Sequence, residues 1–210
     1  ASVRSGDREP SPKDTRHALR DVISHCIYGV DINPMSVELC KISLWIEAIE
    51  PGKPLSFLDH HIKCGNSLLG TTPALMAKGI PDEAFKPIEG DIKTVCTGWK
   101  KQNKDERKGQ DTMFSLFDDS REYPWDKLGT LSTAYNKIEE YGDDDIASQE
   151  QKQKQYEELV KSSSYEFGHL LADAWCSAFV IEKSKNFSYG MTEKVYKEIE
   201  KNPHSLAPWL

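Results

Sequence analysis

Ile27-Tyr-Gly-Val-Asp-Ile-Asn-Pro-Met-Ser-Val-Glu-Leu-Cys-Lys41 decides how the rest of this chain is read. Ile27 to Ile32 is a short apolar run with β-branched and aromatic residues, the pattern of a buried parallel strand. Asp31 falls at the C-terminal end of that run. Asn33 and Pro34 then mark an abrupt helix start, an amide cap followed by a first-turn proline. A carboxylate at a strand's C-terminal end can accept two hydrogen bonds from a vicinal diol, so Asp31 is a candidate ligand for the ribose of a nucleotide-like cofactor. The alternative is a carboxylate that only stabilises the dipole of the following helix, worth about 0.5 kcal/mol.

Working outward, Ser11-Pro12 opens a helix expected over about Pro12 to Ser24, with Ala18, Leu19, Val22 and Ile23 as its apolar stripe. Residues 1–12 otherwise read as loop. The helix from Pro34 to about Ile49 carries apolar residues on most faces, which predicts a position between layers; Pro51-Gly52 ends it. Leu55 to Leu69 reads as two short apolar pieces around Asp59-His60-His61, the second a strand running into Gly65-Asn66-Ser67. Helix, strand, helix, strand is half of a doubly wound α/β sheet. After Gly70 the chain turns polar. Helices are expected at Asp126 to Tyr141 and Ala147 to Ser162, split by Gly142-Asp-Asp-Asp145, then a more buried one at Tyr165 to Ile181 and a short one at Thr192 to Lys201. Ser120 to Trp125 reads as a break. The expected organisation is therefore an α/β segment at 1–70, with a partial Rossmann-like sheet of about two strands, and a large, mostly helical insertion at 71–210.

Composition narrows the function classes. Asp and Glu number 34 against 27 Lys and Arg, so the net charge is −7. That balance argues against a stand-alone DNA clamp, which needs cations to neutralise phosphates. Hydrophobic residues make up 38% of the chain, below the usual globular share, so part of it is solvated helix or loop. Five cysteines without a C-x-x-C pair argue against a disulfide framework or zinc knuckle and suggest a reducing cytoplasm. No apolar run reaches the roughly 18–20 residues of a membrane span, and no signal peptide is visible. The chain lacks an initiator Met and begins in mid-pattern, as a piece of a longer protein would.

Other chemistry-bearing residues read as structural. Asn66 could bond an adenine edge from the end of the second strand, or could be a turn residue. His60 and His61, with Cys64 nearby, invite a zinc reading, but on a strand adjacent side chains point to opposite faces, so no metal site is expected. His25-Cys26 is discounted in the same way. Asn33-Pro34 and Asn202-Pro203 lack the aromatic residue of a catalytic Asn-Pro-Pro-aromatic loop, and no catalytic residue is assigned. The run Lys100, Lys101, Lys104, Arg107 and Lys108 is diluted by Asp105, Glu106 and Asp111 and reads as a solvated helix face. The aromatic residues around Trp175 read as core.

Ile27 through Glu47, continued by Pro51-Gly-Lys-Pro-Leu-Ser-Phe-Leu-Asp-His-His-Ile-Lys-Cys-Gly-Asn-Ser-Leu-Leu-Gly70, resembles the second-motif region of large S-adenosylmethionine-dependent adenine-N6 DNA methyltransferases of restriction–modification and phage-exclusion systems. Weaker similarity continues through Gly79 to Phe85 and Ala172 to Val180. The resemblance implies that Asp31 holds the cofactor's ribose hydroxyls, that Ile32 packs on its adenine ring, and that Asn66, with Ser67 beside it, bonds the adenine N6 and N1 edge. It implies double-stranded DNA as the parent protein's partner. A glycine-rich loop expected before residue 1 and an Asn-Pro-Pro-aromatic loop expected after residue 210 are both absent, so this piece alone is expected to be inactive. The resemblance to restriction–modification enzymes also raises the expectation of a restriction nuclease fused in the parent protein. A nicotinamide dehydrogenase half is disfavoured because residues 7–12 contain no G-x-G-x-x-G. A non-enzymatic helical interaction module at 71–210 is the other alternative. A half sheet with open edges also raises the expectation of a homodimer.

Overall fold

The computed structural model describes residues 11–114, 124–142, 145–186 and 190–202, with the side chains of 109–114 and 124–130 outside that description. The loop expected at 1–10 and most of the break at 120–125 also lie outside it. The described chain is α/β and mostly helical. Its elements run α1 (Pro12–Cys26), β1 (Gly29–Asp31), α2 (Pro34–Glu47), β2 (Ile62–Cys64), α3 (Pro73–Met76), a 3-10 turn (Asp82–Phe85), α4 (Lys93–Phe114), α5 (Pro124–Glu140), α6 (Ile146–Val160), α7 (Ser163–Val180) and α8 (Glu193–Lys201). They fall into two compact units: Ala1–Leu68 with Ser132–Lys161, and Leu69–Leu131 with Ser162–Leu210.

The first unit holds the sheet. β1 and β2 pair in parallel, with Gly29 opposite Ile62, Val30 opposite Lys63 and Asp31 opposite Cys64. Parallel neighbours need a crossover, and α2 supplies it. Both preceding helices start where local chemistry dictates. The Ser11 hydroxyl accepts from the Asp14 N–H while the Asp14 carboxylate accepts from the Ser11 N–H, a reciprocal capping box ahead of α1. The Asn33 side chain accepts from the Met35 N–H, and Pro34 follows as the first helical residue. Ile23, Val37, Ala48, Leu58 and Ile62 form the core, joined at its margin by Leu19, Ile27, Leu44 and Trp45. Trp45 donates its indole N–H to the Ser56 carbonyl at 2.7 Å, and the hydroxyls of Ser24 and Ser56 meet at 2.8 Å.

Two expectations are corrected here. β1 is not a buried strand, because Val30 is 49% exposed and Tyr28 is 61% exposed. Nor is α2 enclosed between layers. Val37 and Lys41 are its buried residues, while Met35, Leu39, Ile42 and Ile46 all face outward. The reason is geometric: α2 packs on β1, β2 and α1, and a two-stranded sheet is too narrow to cover all faces of a helix. Lys41 is buried by snorkelling, with its ammonium on Glu38 (2.8 Å) and Asp59 (2.5 Å). Burial pulls its pKa down, but those two carboxylates outweigh it and hold it above the usual lysine range.

The second unit is helical around Met76, Ile80, Phe85, Leu171, Trp175 and Tyr196. Trp175 is buried, as expected of a core residue, and donates its indole N–H to the Gly79 carbonyl at 3.0 Å. Asn103 lies in the middle of the charged run yet is fully buried; its amide donates to the Ile80 carbonyl (3.0 Å) and accepts from the Glu193 N–H (2.8 Å). Lys100, Lys101, Lys104 and Lys108 are exposed, as a solvated face requires.

Candidate functional site

The parallel pairing of β1 with β2 sets both C-terminal strand ends on one edge. Because Asp31 stands opposite Cys64, Asn66 follows only two residues beyond the register partner of Asp31. The two chains stay joined there. The Gly65 N–H donates to the Asp31 carbonyl at 2.9 Å, and the Cys64 thiol faces the Ile32 carbonyl at 3.6 Å. Asp31, Ile32, Asn66 and Ser67 are all exposed on this edge, Ile32 at 73%.

Local bonds orient the polar pair. One carboxylate oxygen of Asp31 accepts from the Asn33 N–H at 2.7 Å, bending the chain from β1 into α2. The Asn66 side-chain oxygen accepts from the Leu68 N–H at 2.9 Å, an Asx turn. Asp31 therefore serves its own turn with one oxygen, on an exposed side chain.

A second cluster lies at the other end of β2. His60 and His61 occupy a turn, not the strand expected at these positions, so the rule of opposite faces does not apply to them. Their rings stand 4.0 Å apart between centroids, tilted by 37°. Both meet one carboxylate oxygen of Glu139 on α5, His60 Nε2 at 2.6 Å and His61 Nε2 at 3.1 Å. Both histidine side chains are fully buried, while Glu139 is 22% exposed. The His60 contact has the length of a hydrogen bond but not its direction, and neither Nδ1 has a partner among the described residues. Phe57 stacks on His60 at 5.2 Å, and the Tyr135 hydroxyl donates to the His60 carbonyl at 3.0 Å.

Electrostatics sets the protonation of this cluster. Burial pushes both imidazoles down, and the Lys152 cation adds to that, against the pull of Glu139. For His60, the neighbouring His61 depresses it further. Burial raises Glu139, but the two histidines and Lys152 overcome it and leave the carboxylate below its usual range. The two rings thus converge on one carboxylate instead of pointing to opposite faces. The signal available in the sequence was Asp59, a turn former directly ahead of the pair; Glu139, 78 residues from His61, had none.

The model of the Eco57I restriction-modification methylase family matches residues 25–189, most of the chain and the whole of the β1–α2–β2 unit. The chain belongs to that family. A protein of Methanocaldococcus jannaschii, named as a type II restriction enzyme and methyltransferase, is 36% identical to it over 58 residues. That match covers 23% of this chain and 5% of the archaeal protein. No solved structure matches it.

Proposed function

We propose that this chain carries the ribose- and adenine-holding part of the cofactor site of a DNA adenine-N6 methyltransferase, with S-adenosylmethionine as the cofactor and double-stranded DNA as the partner of the whole protein. The observation that supports this most directly is the placement of Asp31 and Asn66 on one edge, at the C-terminal ends of adjacent parallel strands. That edge is where open α/β sheets take their ligands.

The chemistry of the donors fits the group. Asp31 is exposed and uses one carboxylate oxygen for its own turn, leaving the other to accept from ribose hydroxyls. Asn66 offers an amide, both donor and acceptor, the complement of an adenine N6–N1 edge. Ile32, exposed beside Asp31, offers the apolar surface for the ring, and Ser67 a hydroxyl next to Asn66. S-adenosylmethionine supplies the transferable methyl group; these residues bind and orient its nucleoside end. They include no group that would contact a flipped-out base. The expected homodimer finds no support and forms no part of this reading.

Asp31→Ala in the full-length protein is the direct test. Isothermal titration with S-adenosylmethionine should show about 10-fold or greater weakening, the loss of a charge-assisted contact worth about 1.5–3 kcal/mol. Unchanged affinity would remove Asp31 from the site. Mass analysis of nucleosides from treated DNA separates N6-methyladenine from methylcytosine and decides the target base.

A further inference from the structure

We propose that His60, His61 and Glu139 form a binding site for one divalent transition-metal ion, with zinc the best fit. Their ligand atoms, two imidazole nitrogens and a carboxylate oxygen, all lie within 4.8 Å of one another. An ion at the zinc distances of roughly 2.0–2.2 Å from each atom holds its ligand atoms about 3.3–3.6 Å apart, so the Glu139 oxygen would draw back from both imidazoles, which now stand at 2.6 and 3.1 Å. Two nitrogens and one oxygen suit zinc over magnesium or calcium, which take oxygen ligands. Three protein ligands leave a fourth position for water, and the part-exposed Glu139 marks the side from which it arrives.

Independent observations point to a ligand here. The His60 Nε2 sits 2.6 Å from Glu139 without hydrogen-bond direction, and three nitrogens of the two buried rings have no hydrogen-bond partner among the described residues. Buried polar atoms are rarely left so. A cation between the three side chains would take up both Nε2 lone pairs. Lys152, also fully buried, opposes the ion by charge and limits its affinity. Once bound, the ion ties the turn ahead of β2 to α5, adding to the Tyr135 bond that already spans them.

This inference does not depend on the cofactor reading, and its test uses the metal alone. The 210-residue chain, stripped with a chelator, is titrated with cobalt(II) and with zinc(II) against a chromophoric chelator. The expected result is one equivalent bound, with the intense visible absorption of low-symmetry cobalt(II), a higher thermal midpoint with zinc, and affinity at least about 10-fold weaker in Glu139→Gln. Glu139→Gln preserves size and keeps the test decisive if the histidine variants fail to fold, which circular dichroism reports. Lys152→Met should bind more tightly than the parent chain. His169→Ala, at an exposed histidine paired with Asp173, should not change binding. Absence of stoichiometric uptake, or uptake unaltered by Glu139→Gln, overturns the proposal.

Discussion

Gly79 illustrates how one residue can carry a tertiary requirement. Its φ is +75°, where a side chain is strained, and a Cβ built there would fall 2.2 Å from the Glu193 carboxylate. That carboxylate accepts from the Ile80 N–H at 2.6 Å, so it has little freedom to retreat. Gly79→Ala is therefore expected to destabilise the protein by about 1–3 kcal/mol, read as a lower urea midpoint. Substitution at Gly52, also at positive φ but with nothing within 4 Å, should cost less. Asn103 shows the same dependence on distant partners, because its helix position among Lys and Arg gave no sign that both ends of its amide would be buried against Ile80 and Glu193. Asp31 and Asn66 were legible for the opposite reason. Each sits at a fixed offset from a strand end, and the offset can be counted along the chain.

At the scale of elements, helix starts were readable and burial was not. Ser11-Pro12 and Asn33-Pro34 cap helices in the structure as their sequences require, since a cap is a bond between residues two or three apart. Asn33→Ala should cost about 0.5–2 kcal/mol through the lost Met35 bond, measured by thermal unfolding. The same change should leave Asp31 in place, because the Asp31–Asn33 contact uses the backbone N–H at 33. The apolar residues of α2 misled because periodicity reports which faces can be buried, while the width of the sheet decides which are. His60 and His61 misled for a related reason. Two residues of difference in where β2 begins convert an alternating strand into a turn, and the two rings move from opposite faces to a shared carboxylate.

At the scale of the molecule, stability in acid depends on Asp91. Its side chain is fully buried and accepts from the Ile88 and Lys183 N–H groups, with the Lys183 ammonium 3.5 Å away. Burial raises its pKa, but those two backbone bonds and the ammonium outweigh it, so the carboxyl titrates below its ordinary range. A depressed folded pKa means stabilisation that is present above the unfolded value of about 3.9 and lost as pH falls through the folded value. Chemical denaturation at pH 7 and at successively lower pH should show the parent chain losing stability below about pH 4, and Asp91→Asn, weaker at pH 7, losing less over the same window. Equal slopes would remove Asp91 from this role. What the sequence by itself determined was local: helix caps, the strand-to-helix turn at Asp31, and the helix, strand, helix, strand order of an α/β segment. Tertiary structure alone decided that Asp31 and Asn66 share an edge in this register, that α2 stays exposed, and that Glu139 joins His60 and His61. Bonds between near neighbours follow from the residues that make them, whereas contacts across 78 residues depend on how the chain closes.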